Sequence, residues 1–168
     1  AAELSRRDQD VVGEAIAMGQ LGTAAMGLFD FARAKRQLGR QELLARSIGD
    51  AHGQARALTF LGDVALVLGR PDDALDLGER ARAVAATIQS DVLAAYAERL
   101  IGRSMRELGR TGAVAHLERA RAIFASHRLP LGEALSAWDE ANARQPHDAA
   151  LARFALEQIA SLGLVDRV

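Results

Sequence analysis

The sequence predicts an all-α protein, a solenoid of about four stacked antiparallel helix pairs. Three observations carry that prediction: residue usage, an internal period of forty residues, and the placement of apolar side chains within each period. Ala supplies 35 and Leu 23 of the 168 residues, both strong helix formers, whereas 4% of the chain is aromatic and there are 3 Pro. Few Val, Ile, Thr and Tyr remain to build a β-sandwich or barrel. Leu21-Gly22, Leu61-Gly62 and Ile101-Gly102 stand 40 residues apart, as do Leu68-Gly69-Arg70 and Leu108-Gly109-Arg110. Glu79-Arg80-Ala81-Arg82-Ala83 returns at Glu118-Arg119-Ala120-Arg121-Ala122, an offset of 39, and Gly53-Gln54-Ala55 returns as Gly132-Glu133-Ala134 after 79.

Each period reads as two helices. In the first, an apolar helix runs from Val11 to Leu28, and a second carries Phe31, Ala34 and Leu38 and ends near Gly49-Asp50. Leu38-Gly39-Arg40 imitates a helix end but stands 30, not 40, residues from Leu68-Gly69-Arg70, so it is placed mid-helix. Ile48 to Ala55 reads as a loop-like junction. The next helix, Ala55 to Leu68, stops at Gly69, which adopts the left-handed C′ conformation at low cost. Pro71 suits the first turn of its successor, where Asp72 and Asp73 complement the helix dipole. Ala74, Leu77, Ala81, Val84 and Ile88 follow at spacings of three and four as one apolar stripe. Leu93 to Leu108 repeats the first helix, Gly109 breaks it, and Thr111 is expected to cap the next, which carries Val114, Leu117, Ala120 and Phe124. Gly132 to Ala143 and Pro146 to Leu162 form a shorter fourth pair, with Leu151, Phe154, Ala155, Ile159 and Leu162 on one face of its last helix. A Gly inside a helix costs about 1 kcal/mol relative to Ala. Gly22, Gly62 and Gly102 are therefore expected where helices pack most closely.

Composition also narrows the function. A net charge of -1 argues against a general nucleic-acid binder, and the absence of Cys removes thiolate zinc sites, disulfides and a Cys nucleophile. No apolar run approaches the eighteen or so residues that span a membrane. Ala1 to Asp8 has no signal-peptide pattern, so the cytoplasm is the default location. Without an initiator Met the chain is expected to be a fragment or processed product of a larger protein. His52, His116, His127 and His147 share no metal-ligand spacing, and surface or capping roles are expected of His147-Asp148. Ser5, Ser47, Ser90, Ser104, Ser126, Ser136 and Ser161 stand in no nucleophile elbow, and neither GxxxxGK[ST] nor GxGxxG occurs. The expectation is a protein with no catalysis, no cofactor and no metal.

The chain resembles the tetratricopeptide repeat, whose first helix carries a Leu-Gly pair and whose second has a small residue about a dozen positions later. Leu21-Gly22 is followed by Ala34, and Leu61-Gly62 by Ala74 and then Ala81. Ile48 to Ala55 looks like the junction of the longer, roughly forty-residue variant of that repeat, common in bacterial regulatory proteins and the arms of signalling ATPases. The resemblance runs from about residue 8 to 162 and is strongest from Phe31 to Ala125. It departs from the common form in its period and in placing Ala25, Ala65 and Met105 where the family has a large aromatic. In the third period Val114 or Ala113 holds the small-residue place.

The resemblance implies a right-handed α-solenoid and a single TPR-like domain over 1–168, with repeats near 8–50, 51–90, 91–128 and 129–162. It also implies an inner wall lined by first-helix residues, where partners bind. By register these are Thr23 and Met26, then Arg56, Thr59 and Asp63, then Tyr96, Arg99, Arg103 and Arg106. Arg99, Arg103 and Arg106 project from one helical face. Read one way, they hold carboxylates of an acidic protein or peptide through bidentate contacts; read the other, they are a solvated face paired with Glu98 and Glu107. The paired Lys and Asn with which some members clamp a peptide C-terminus are not reproduced, and Trp138 is assigned to packing. The expected function is a protein- or peptide-binding scaffold, the interaction or sensing arm of a larger regulator. A sensor for a small molecule or short signalling peptide, and self-association into a homo-oligomer, are the alternatives. No nucleic-acid or membrane partner is expected.

Overall fold

A computed structural model describes residues 2–144 and 147–163, with side chains from residue 10 onward. Eight helices occupy the described residues, with no strand among them: α1 (Ala2–Gly27), α2 (Phe31–Ser47), α3 (Ala51–Val67), α4 (Pro71–Thr87), α5 (Asp91–Glu107), α6 (Ala113–Ser126), α7 (Pro130–Ala143) and α8 (Ala149–Ser161). Each packs on the next, giving the all-α solenoid of four antiparallel pairs that the sequence predicts. Odd helices also touch across the pairs, α1 on α3, α3 on α5 and α5 on α7, whereas among the described residues no even helix touches the next even one. The stack therefore curves with its odd helices on the inner side.

The forty-residue period is two units of twenty. Helices α2 to α5 are 17 residues long, and from α1 to α5 each is joined to the next by three residues. The middle residue of each turn is left-handed: Phe29, Gly49, Gly69 and Gln89 have φ of 59, 71, 69 and 51°. The following amide then donates to a carbonyl five residues back, as in Asp30 N to Ala25 O (2.9 Å), Asp50 N to Ala45 O (2.8 Å), Arg70 N to Ala65 O (2.9 Å) and Ser90 N to Ala85 O (3.1 Å). The same residue caps the next helix where it carries an oxygen: Asp30, Asp50 and Ser90 accept from the amides of Arg33, Gly53 and Leu93. Arg70 carries none, and Pro71 at the first helical position takes over its part.

Several boundaries differ from the sequence reading: α1 starts at Ala2 rather than Val11, and α5 and α7 start at Asp91 and Pro130 rather than Leu93 and Gly132. Helix α3 begins at Ala51, not Ala55, because Asp50 caps it through Gly53 and draws the presumed junction into the helix. Thr111 does not cap α6; it lies exposed in the turn, and Gly112, with φ of 92°, stands at the cap without a side-chain bond. Pro146 lies outside the described residues, and α8 starts after Asp148, which accepts from the Leu151 amide at 3.0 Å. As expected, Gly39 is mid-helix in α2, and Ala74 and Ala81 are fully buried in α4. Ile88 leaves its stripe, ending α4 at 41% exposure. Ala113 rather than Val114 is buried at the start of α6.

Small residues set the helix spacing. A Cβ on Gly22 would lie 2.6 Å from Leu38 Cγ, and one on Gly102 would lie 2.6 Å from Leu117 Cγ and 3.0 Å from the Ala113 carbonyl oxygen. Leu38 and Leu117 hold the same repeat position. In the second pair that position is Gly78, and α5 supplies the missing bulk: Leu100 fills the space between Gly62 and Gly78, with Ile101 beside it. Leu100 and Ile101 are both 1% exposed, so the substitution leaves no hole. Gly102→Ala is expected to destabilise the protein by about 1–3 kcal/mol, because overpacking outweighs the gain in helix propensity. Gly39→Ala, with nothing within 4 Å of the new carbon, is expected to stabilise by about 0.5–1 kcal/mol. Urea denaturation of the two variants checks both, and equal shifts would remove close packing as the reason for Gly102.

Candidate functional site

The inner faces of α3 and α5, with Leu135 of α7, enclose a groove of about 510 Å³. Five residues expected on the inner wall line it: Arg56, Thr59, Asp63, Tyr96 and Arg99. Its apolar floor comes from Phe60, Val92 and Leu93. Tyr96 is fixed from behind by Phe124, edge to face with ring centroids 4.8 Å apart, while 42% of its surface stays exposed. Thr59 offers less than its type suggests, since it is buried and its hydroxyl donates to the Ala55 carbonyl at 3.0 Å. Arg56 is exposed and has no ion-pair partner among the described residues; His52, one turn earlier on α3, shares the groove with it.

The Arg strip is already occupied. Arg103 donates to Asp63 at 2.5 Å and Arg99 to Asp139 at 2.7 Å, each pair joining residues 40 apart on adjacent odd helices. Arg103 also lies 3.9 Å from Asp139, so two cations and two carboxylates form one ladder across α3, α5 and α7. Asp139 is 6% exposed, and the ladder bridges three layers of the solenoid. Arg106 turns to its neighbour Glu107 at 2.6 Å. The free carboxylate-binding strip is thus, for Arg99 and Arg103, an internal tie. Of the remaining expected residues, Met26 packs against the core formed by Ala25, Ala34, Leu38 and Val64. Thr23 lines a separate hollow, its hydroxyl spent on the Gly19 and Gln20 carbonyls. Trp138 remains 38% exposed on α7.

Sequence reasoning missed His52, Phe60, Ser90, Val92, Leu93 and Leu135 as groove residues. A signal existed: His52 and Val92 occupy one repeat position, and His52 stands four residues before Arg56 on the same helix face.

Other buried charges lie between helices and hold the stack. Glu98, 8% exposed on α5, receives Arg82 of α4 at 3.3 Å, and His116 and Arg119 of α6 at 2.6 and 3.0 Å. Burial, the largest single influence, raises its pKa; the hydrogen bonds and charge attraction of His116 and Arg119 together outweigh it and hold the group below the ordinary 4.5. Glu140 is fully buried and accepts from Arg121 at 2.8 Å and Arg144 at 2.5 Å. Among the described residues no group of His, Asp and Glu is gathered so as to hold a metal ion, and no helix is long and apolar enough to cross a membrane.

No family model and no curated protein matches the chain.

Two outcomes are expected. Asp139→Asn should cost about 1–3 kcal/mol in urea denaturation, because it leaves the partly buried Arg99 without a counter-charge and weakens the hold on Arg103; a loss below about 0.5 kcal/mol would reduce the ladder to an ordinary surface pair. Glu98 has a folded pKa below its unfolded one, so its contribution is complete above pH 4.5 and fades as pH falls through the folded value. Unfolding free energy is accordingly expected to fall on acidification below that point, and less steeply in Glu98→Gln.

Proposed function

We propose that the chain is a non-catalytic scaffold of the tetratricopeptide-repeat kind that binds an extended protein or peptide segment on its inner face, as the interaction or sensing arm of a larger regulatory protein. The observation that supports this most is the composition of the α3–α5 groove: an anchored, half-exposed aromatic, an apolar floor, and an unpaired guanidinium at one wall. Half-exposed Tyr flanked by apolar side chains and Arg is the usual make-up of a binding hot spot. Asp63 and Arg99 contribute to the groove mainly as fixed walls, because each is tied into the ladder. The segment that fits carries an apolar side chain for the Tyr96 face and a carboxylate within reach of Arg56 and His52.

Charge reversal at Arg99 or Arg103 is a poor probe of this reading, since it breaks the layers apart. Tyr96→Ala and Arg56→Glu are better, because both side chains are exposed and unpaired by charge. A displayed library of random peptides, selected on the purified chain, is expected to yield sequences rich in apolar and acidic residues. Each variant should bind the selected peptides at least about tenfold more weakly, equivalent to about 1.4 kcal/mol, with circular dichroism unchanged. Equal binding to both variants would remove the groove as the docking site.

A further inference from the structure

We propose that the docking surface runs past the α3–α5 groove onto α7 and takes one segment in the polyproline II conformation, acidic at the α3 end and apolar at the α7 end. This extension rests on the groove being the docking site. It adds a second anchor, at Leu131 and Trp138, and a direction.

The case comes from three positions that recur on three layers. His52, Arg56 and Thr59 of α3 stand at spacings of four and three, and Val92, Tyr96 and Arg99 of α5 repeat them 40 residues on. All six line the groove. Between α5 and α7 the offset is 39: Leu93, Ala95 and Ala97 are buried, and so are their counterparts Gly132, Ala134 and Ser136. The same offset carries the three positions to Leu131, Leu135 and Trp138, and Leu135 already lines the groove. Since odd helices touch from layer to layer, the rows lie side by side on one wall.

Chemistry along that wall is graded. Layer α3 offers an imidazole and a guanidinium without ion-pair partners among the described residues. Layer α5 offers Val92, Tyr96 and a guanidinium tied to Asp139. Layer α7 offers three apolar side chains and no charge, with Leu131 42% and Trp138 38% exposed. Packing does not require the chain's one Trp at a position where the other layers carry Thr59 and Arg99. Exposed large apolar groups that continue a groove mark an interaction surface.

Layer spacing selects the conformation of the partner. Helices in contact lie about 8–10 Å apart. A polyproline II chain rises about 9.3 Å in three residues and presents every third side chain on the same side. An acidic residue at Arg56 therefore places the third residue beyond it at Tyr96 and the sixth at Leu131 and Trp138.

The probe is a blocked heptapeptide, Asp-Pro-Pro-Leu-Pro-Pro-Phe, made also in reverse order, titrated into the intact chain. One of the two is expected to bind and to shift Trp138 emission to the blue as the ring leaves water. Leu131→Gln, which keeps that reporter, and Trp138→Ala, followed by calorimetry, should each bind at least about tenfold more weakly, with circular dichroism unchanged. The tetrapeptide without the Phe end should bind Leu131→Gln and wild type equally and leave the emission unmoved. The proposal is overturned if neither heptapeptide binds, or if both α7 variants bind like wild type. Library-selected peptides that depend on Tyr96 but on neither α7 residue would keep the groove and remove its extension. Emission that shifts to the blue with chain concentration alone would give the α7 face to a second copy and overturn the proposal as well.

Discussion

Close approach of neighbouring helices at Gly and Ala is the constraint on which the rest of the structure depends. Seventeen-residue helices joined by left-handed turns repeat every twenty residues, so equivalent faces recur every forty. The equivalence becomes physical contact because Gly22, Gly62 and Gly102 leave room for Leu38, Leu100 and Leu117 of the facing helices, and the buried alanines keep the helices close. Once odd helices touch across pairs, residues forty apart face each other. Asp63 then reaches Arg103, and Arg99 reaches Asp139. A periodicity in sequence is thereby converted into a column of charges along the inner wall.

That column divides the work of the inner face. Two of its three Arg neutralise carboxylates of adjacent layers and hold the curvature, at the cost of being unavailable to a partner. What stays available is what the ladder leaves unpaired: Arg56, His52 and the exposed edge of Tyr96. A scaffold built from alanine has few large side chains with which to make an interface. In the proposed binding role, Tyr96, backed by Phe124, concentrates much of the available contact area at one spot.

The elements were legible in the sequence because their signals are local. Gly49, Gly69 and Gly109 mark left-handed turns, Pro71 marks a first turn, and the stripes of Ala and Leu mark buried faces. The boundaries that were misread turn on competition between neighbours. Asp50 can end one helix or begin the next, and it does both; Gly112 overrides Thr111 by its backbone angle. The ion pairs were illegible for a different reason. Arg99, Arg103 and Arg106 look equivalent along their helix, and only the layer above or below decides which of them has a carboxylate in register. Position 63 offers Asp to Arg103 and position 139 offers Asp to Arg99, whereas Arg106 finds only Glu107 next to it.

Departures from the repeat then become the most informative positions, provided compensated and uncompensated ones are separated. Gly78 departs from the Leu of its counterparts, and Leu100 and Ile101 close the gap from the next layer. Phe29, Gln89 and Arg128 hold left-handed turns without glycine, and each turn keeps its hydrogen bond to the carbonyl five residues back. In those places a local rule is broken and a neighbour repairs it, so stability alone accounts for the arrangement. Gln41 is different. The chain gives up an apolar contact in α2 and helix propensity at Gly19 in α1, and the result is a buried oxygen without a hydrogen-bond partner. Nothing else among the described residues repairs that loss, which sets this position apart from the departures that a neighbour compensates.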